Sequence, residues 1–192
     1  MERKTVGPAR ARLLGAASRL FYADGVTATG IDAITAEAGV AKMSLYNNFS
    51  SKEDLVLAYI ELRHEEWLEL YRRRAEHATS AADGVMAVFD AYIDHASAAY
   101  LHGFRGCGLL NAAAELPVGS PGRNAVRRHK EQVEAILAEH LAGATATASA
   151  AQGTAEHLTF LLEGAMSRAG LEGQPDRLEH AKTIARSLVG AL

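Results

Sequence analysis

Residues 29–52, TGIDAITAEAGVAKMSLYNNFSSK, restrict the fold of this chain more than any other stretch. Thr29 suits a helix N-cap, because its hydroxyl can accept from a free backbone N–H of the first turn. Ile31, Ile34 and Ala38 follow at helical spacing and predict a short helix that buries that face. Gly39 supplies the left-handed residue that ends such a helix. A second helix is predicted from about Ala41 through Asn47. Leu45 and Phe49, four apart, face inward, which turns Lys42, Met43, Ser44, Asn47 and Asn48 outward. Two short helices joined by a tight glycine turn make the helix-turn-helix pattern. The outward face of the second helix has small polar and cationic groups, one flexible apolar side chain and no carboxylate, which suits DNA. The acids of this stretch, Asp32 and Glu37, lie on the first helix.

The surrounding residues extend the pattern. Phe21, Gly25, Thr29, Ile34, Ala38-Gly39-Val40, Leu45-Tyr46, Phe49, Lys52 and Leu55 together resemble the DNA-binding domain of the tetracycline-repressor (TetR) family, over about residues 10–58. Two positions depart from that family: Thr35, where a small alanine is usual, and Asn48, where histidine is common. The resemblance implies that Thr29, Tyr46 and Lys52 hold the DNA backbone and that Lys42, Met43 and Ser44 face base edges. Asn47 and Asn48 complete the expected contact set. The chemistry agrees: hydroxyls and an ammonium are ordinary phosphate donors that fix register without reading sequence. Lys can read guanine, Ser either a donor or an acceptor, and Met can touch a thymine methyl.

A chain of 192 residues that is 48% hydrophobic can bury a sizeable core in one or two domains. Four prolines, abundant alanine and no alternating β-branched runs predict an all-α protein of about nine helices. The expected division is a three-helix head at 1–53 and a helical body for effector binding and dimerisation at 54–192. Net charge is −3, placed unevenly: residues 1–52 carry +3 and residues 53–192 carry −6. A basic head on an acidic body fits salt-sensitive DNA binding at one end. The single cysteine, Cys107, permits no intramolecular disulfide, which suits a reducing cytosol. The N-terminus lacks the apolar core of a signal peptide, and no apolar run is long enough to span a bilayer. A soluble, cytoplasmic protein is expected.

Taken in order, residues 1–8 form a charged arm, whose Arg3 and Lys4, with Arg10, are either solvated or within reach of DNA. A helix follows from about Ala9 to Ala23 and ends at Asp24-Gly25. Ser50 or Ser51 caps the next helix, which runs to about His77 and links head to body. Its HEEW segment lacks a second histidine four residues after His64, so it is not the zincin pattern. A helix over 81–101 buries Val85, Val88, Phe89, Tyr92 and Ile93. His95, His102 and Cys107 suggest a metal site only weakly, and no metal or cofactor is expected. Residues 103–122 are the least regular, with a short helix predicted over Leu109–Leu116. Its sequence RGCGLLNAAAEL resembles a stretch in one branch of the family, where that helix lines the ligand cavity. Two readings of Asn111 and Glu115 stay open: they point into a pocket, or Asn111 bonds backbone while Glu115 is solvated.

The helix over 122–142 is expected to turn Val126, Val133, Ile136, Leu137 and Leu141 inward and Arg127-Arg128-His129-Lys130 outward. Residues 142–153, AGATATASAAQG, read as a linker. Two last helices, about Ala155–Ala169 and Asp176–Ala191, carry the stripes Leu158, Leu162, Ala165, Met166 and Leu178, Ala181, Ala185, Leu188. The resemblance implies that these helices pair with their copies in a homodimer as a four-helix bundle.

The function expected is a DNA-binding transcriptional regulator, a homodimeric repressor released from a palindromic double-stranded operator by an unknown small-molecule effector. The candidate pocket residues are Trp67, Tyr71, Phe89, Tyr92, Asn111, Phe160 and Glu163. The alternative is a DNA-binding dimer without an effector. No nucleophile–base pairing, phosphate loop or metal-ligand spacing supports an enzyme.

Overall fold

The structure is a computed structural model that describes residues 7–192. Arg3 and Lys4 of the expected arm lie outside the described residues. Among those residues there are nine α-helices and no strand. None of the helices is long and apolar enough to cross a membrane. Among the described residues the chain divides into two compact units: one runs up to residue 63 and takes in 108–126, and the other holds 64–107 and 127–192. These units do not follow the 53/54 division read from the sequence, because residues 108–126 return to the first of them.

In the first unit, α1 (Pro8–Asp24) opens with proline, whose missing N–H costs nothing in a first turn. It packs against α2 (Ile31–Glu37) and α3 (Lys42–Tyr46). Leu13, Phe21, Ile34, Leu45, Phe49, Leu55 and Tyr59 form the core, each at most 3% exposed. Gly39 ends the α2 turn at φ +61°, in the left-handed region where a side chain is strained. Thr29 does not cap α2, however. Gly30 holds that position, and the Thr29 hydroxyl donates to the Gly25 carbonyl at 2.6 Å. Thr35 is buried and returns its hydroxyl to the Ile31 and Asp32 carbonyls, both at 3.1 Å, so the extra oxygen is satisfied within its own helix.

The start of α4 (Lys52–Ala75) is closed by reciprocal bonds: the Asp54 N–H donates to Ser51 Oγ at 3.1 Å and the Ser50 N–H donates to the Asp54 carboxylate at 2.9 Å. The short helix α6 (Gly108–Ala114) packs on α1. The carbonyls at and just beyond its end are covered by the Arg123 guanidinium, which reaches Ala113 O and Leu116 O at 3.2 and 3.1 Å from the first turn of α7 (Pro121–Leu141).

In the second unit, α5 (Ala81–Ala96), α8 (Ala148–Glu172) and α9 (Asp176–Val189) pack on one another. Ser80 caps α5 by accepting from the Asp83 N–H, and α5 stops at Ala96 rather than near 101. The linker expected at 142–153 is half helix: Thr147 caps α8 by accepting from the Ala150 N–H at 3.1 Å, and alanine propensity carries the helix from there.

Leu158, Leu162, Met166, Leu178, Ala181 and Ala185 are each at most 2% exposed within one chain. They hold α8 and α9 to their neighbours, so their expected place at a subunit interface is corrected. A surface already covered has nothing left to bury against a partner. Ala165 is half-buried and Leu188 is exposed. The apolar groups left outside are Phe160 and Leu171 on α8, with Ile184 and Leu188 on α9.

Candidate nucleic-acid interface and buried polar cluster

The five-residue helix α3 is too short to persist alone, so its face is fixed by what surrounds it. Leu45 and Phe49 anchor it inward, and the Arg10 guanidinium lies 4.6 Å over the Phe49 ring. Asn48 donates its amide to the Ser44 carbonyl at 2.7 Å, closing the helix end that would otherwise leave a bare acceptor. Lys42, Met43, Tyr46 and Asn47 are exposed, Met43 by 67% and Tyr46 by 50%. Ser44 and Asn48 are half-buried. Lys42 pairs with Asp32 of α2 at 2.8 Å, and both stand in solvent. The side-chain hydrogen bond and charge of Asp32 raise the Lys42 pKa, so the ammonium is fully charged. Lys52 is half-buried, with Nζ 3.4 Å from the Thr27 carbonyl. Thr29, by contrast, is 3% exposed and its hydroxyl is spent on Gly25, so it offers no donor to a phosphate.

Glu115, at the end of α6, is exposed and lines a cleft, and it also meets backbone donors that neither reading of the sequence named. Its carboxylate accepts from the Val26 and Thr27 N–H groups at 3.1 and 2.6 Å, in the loop that leads into α2. Partial burial works against the charged form, but the Thr27 and Val26 donors and nearby Lys52 outweigh it, and Glu115 titrates below the usual glutamate value. Gly25 makes room for this: its φ is +94°, and a Cβ there would stand 2.7 Å from Glu115 Oε1. The sequence signal for the contact was the glycine at the end of α1, read only as a helix stop. Asn111 is half-buried in the same unit. Beside Glu115 lies a cleft of about 490 Å³ lined by Val26, Lys52, Val56, Leu57, Leu116 and Pro121. None of the seven expected pocket residues lines it.

Four of those seven do meet in the second unit. Trp67 stacks on Tyr71 with ring planes 4° apart and 5.7 Å between centroids, and lies 5.3 Å from both Tyr92 and His129. The Tyr92 hydroxyl is 3.4 Å from His129 Nε2 and 3.4 Å from Lys130 Nζ. Lys130 pairs with Glu163 at 2.6 Å and lies 3.7 Å from Cys107 Sγ. His129 Nδ1 is 2.9 Å from His64 Nδ1. The reading of His129 and Lys130 as outward is therefore corrected. They stand three and four residues after Val126 and four and three before Val133, on the inward stripe itself. Phe89 is fully buried in the core, and Phe160 is 63% exposed on the surface of α8, which corrects its expected place in a pocket.

Charge in the cluster is balanced. Burial, then the charges of Lys130 and His64, push His129 down to about 2, so its ring is neutral at ordinary pH. Burial raises Tyr92 and keeps its hydroxyl protonated. Burial opposes the Lys130 ammonium, but Cys107, Tyr92 and the touching Glu163 carboxylate hold its pKa above the ordinary value. Trp67 Nε1 and Glu163 Oε2 are buried without a hydrogen-bond partner.

Comparison with known proteins agrees with this architecture. Residues 13–59 match the description "Bacterial regulatory proteins, tetR family", and residues 81–185 match "Tetracyclin repressor-like, C-terminal domain". The chain belongs to the tetR family. A TetR-family transcriptional regulator from Streptomyces coelicolor is 35% identical with a TM-score of 0.85, over 96% of this chain and 89% of that one. The transcriptional activator FasR of Mycolicibacterium smegmatis is 41% identical over 47% of this chain and 43% of its own length. The transcriptional regulator LmrA of Bacillus subtilis is 34% identical over 42% of this chain and 44% of its own. The match thus spans less than half the length of these two curated TetR-type relatives.

Proposed function

We propose that this TetR-family chain is a DNA-binding transcriptional regulator, a homodimeric repressor released from its operator by a small molecule. The observation that carries the reading is the exposed face of α3. It presents Met43, Tyr46 and Asn47 beside Lys42, with no carboxylate of its own. The Lys42–Asp32 pair is solvent-exposed, and water screens such pairs, so Lys42 can leave it for DNA at little cost. Tyr46, Lys52 and Asn47 would hold phosphates while Lys42, Met43 and Ser44 face bases; Asn48 would act by fixing the end of α3. In this reading the DNA-binding part is 1–53, and 54–192 serves effector binding and dimerisation. Phe160, Leu171, Ile184 and Leu188 form the apolar face that a second subunit would cover, placing two heads on half-sites about 34–36 Å apart. The effector would enter among Trp67, Tyr71, Tyr92 and Glu163.

The test is a gel shift over a salt series with the DNA flanking the protein's own gene, wild type beside Tyr46→Ala. Selective binding that weakens with salt and drops at least tenfold in the variant is expected. A tight complex indifferent to Tyr46→Ala would sink the placement of α3 on DNA.

A further inference from the structure

Trp67 and Glu163 each hold a buried polar atom without a hydrogen-bond partner, and both belong to the same cluster. Trp67 Nε1 is a donor on a side chain 4% exposed, and Glu163 Oε2 is an acceptor whose sister oxygen already holds Lys130. They are linked through neighbours: Trp67 touches the Tyr92 ring, Tyr92 touches Lys130, and Lys130 touches Glu163. Buried donors and acceptors in folded proteins nearly always find partners, so one of each left open in one cluster calls for a guest. The unmet pair defines that guest. It must offer an acceptor to the indole N–H and a donor to the carboxylate.

The surrounding charge sets a second requirement. Lys130 and Glu163 cancel each other, and His129 and Tyr92 are neutral. A charged ligand would be buried with no free counter-charge, unless it broke the Lys130–Glu163 pair. The packing sets a third, since Trp67, Tyr71 and Tyr92 are aromatic and a guest among them would lie against rings.

We propose that this cluster binds an uncharged, flat aromatic molecule that accepts a hydrogen bond from Trp67 Nε1–H and donates one to Glu163 Oε2. This rests on the effector reading above and gives it a ligand class. Phenols bearing an amide or ketone, and aryl amides, have the required pair of groups.

The chain carries one tryptophan, so the fluorescence of Trp67 reports the site without DNA. The probes are para-hydroxybenzamide, para-hydroxyacetophenone and para-hydroxyacetanilide. Against them stand the anion para-hydroxybenzoate, the cation para-(aminomethyl)phenol, and toluene, all titrated into full-length protein at pH 7. At least one neutral probe should change Trp67 fluorescence saturably and raise the melting temperature. By calorimetry its affinity should fall about tenfold or more in Trp67→Phe, which keeps an aromatic ring but removes the N–H, and in Glu163→Gln, each checked for folding. Loss in Trp67→Phe alone suffices if Glu163→Gln does not fold.

Preference for a charged probe or for toluene, or binding unchanged in Trp67→Phe, overturns the ligand class and leaves the effector reading standing. A screen of a broad library for release of operator DNA separates the two further. Release without any change at Trp67 means that the effector sits elsewhere. If no compound binds or releases DNA, both readings fall.

Discussion

Removing the Glu163 carboxylate should destabilise the second unit through Lys130 rather than through lost packing. Glu163→Ala leaves an ammonium in the cluster with only the Tyr92 hydroxyl and the Cys107 sulfur near it. Stranding one member of a fully buried pair costs about 3–5 kcal/mol. Here the two side chains keep 17% and 28% exposure, so water can relieve part of the penalty, and about 2–4 kcal/mol is expected. In a chain of this length that lowers the melting temperature by about 4–16 °C. The assay is urea denaturation followed by Trp67 fluorescence, since the indole lies 5.3 Å from Tyr92, the neighbour of Lys130. The double variant Lys130→Met/Glu163→Leu removes both charges and replaces them with apolar volume. It should return to within about 1 kcal/mol of wild type, because a buried pair contributes little net stability over a hydrophobic substitute. A Glu163→Ala variant within about 0.5 kcal/mol of wild type, or a double variant no more stable than the single one, would refute the argument from an uncompensated charge.

Other perturbations have equally definite outcomes. His129 has a folded pKa below its ordinary 6.5, so the unfolded chain binds the proton first. Its contribution is whole above about pH 6.5 and is lost as pH falls toward 2, by up to about 1.4 kcal/mol per unit; urea midpoints at pH 7, 6 and 5 should show that slope, and His129→Leu should flatten it. Glu115→Gln weakens two charge-assisted bonds to the Val26 and Thr27 N–H groups and should cost about 1 kcal/mol, given how exposed the group is. Gly25→Ala adds left-handed strain and a clash with the same carboxylate, for about 1–3 kcal/mol in thermal denaturation, and a milder effect in a Glu115→Ala background would confirm the shared space. Asn48→Ala removes the bond to the Ser44 carbonyl and should lower both stability, by about 1 kcal/mol, and operator affinity in a gel shift.

The helices and the helix-turn-helix were legible because hydrophobic spacing is a local property. Ile34, Leu45 and Phe49 fix which way α2 and α3 face, and Leu158, Leu162 and Met166 mark a stripe, whatever lies opposite. What lies opposite is not local. The stripes on α8 and α9 read equally well as a subunit interface or as an internal core, and only the packing shows that they are covered within one chain. Glu115 spoke for a pocket or for solvent; its partners are backbone N–H groups 88 and 89 residues away, which no periodicity encodes. The basic run Arg127–Lys130 was judged by its charge, although its helical phase already turned His129 and Lys130 inward. A buried ammonium is tolerated only where a carboxylate meets it, and that carboxylate, Glu163, arrives from another helix. Sequence alone determined which faces must be buried. The tertiary structure decided against what, because burial is satisfied by any apolar neighbour, whereas a buried charge or an open N–H must be met by one particular group.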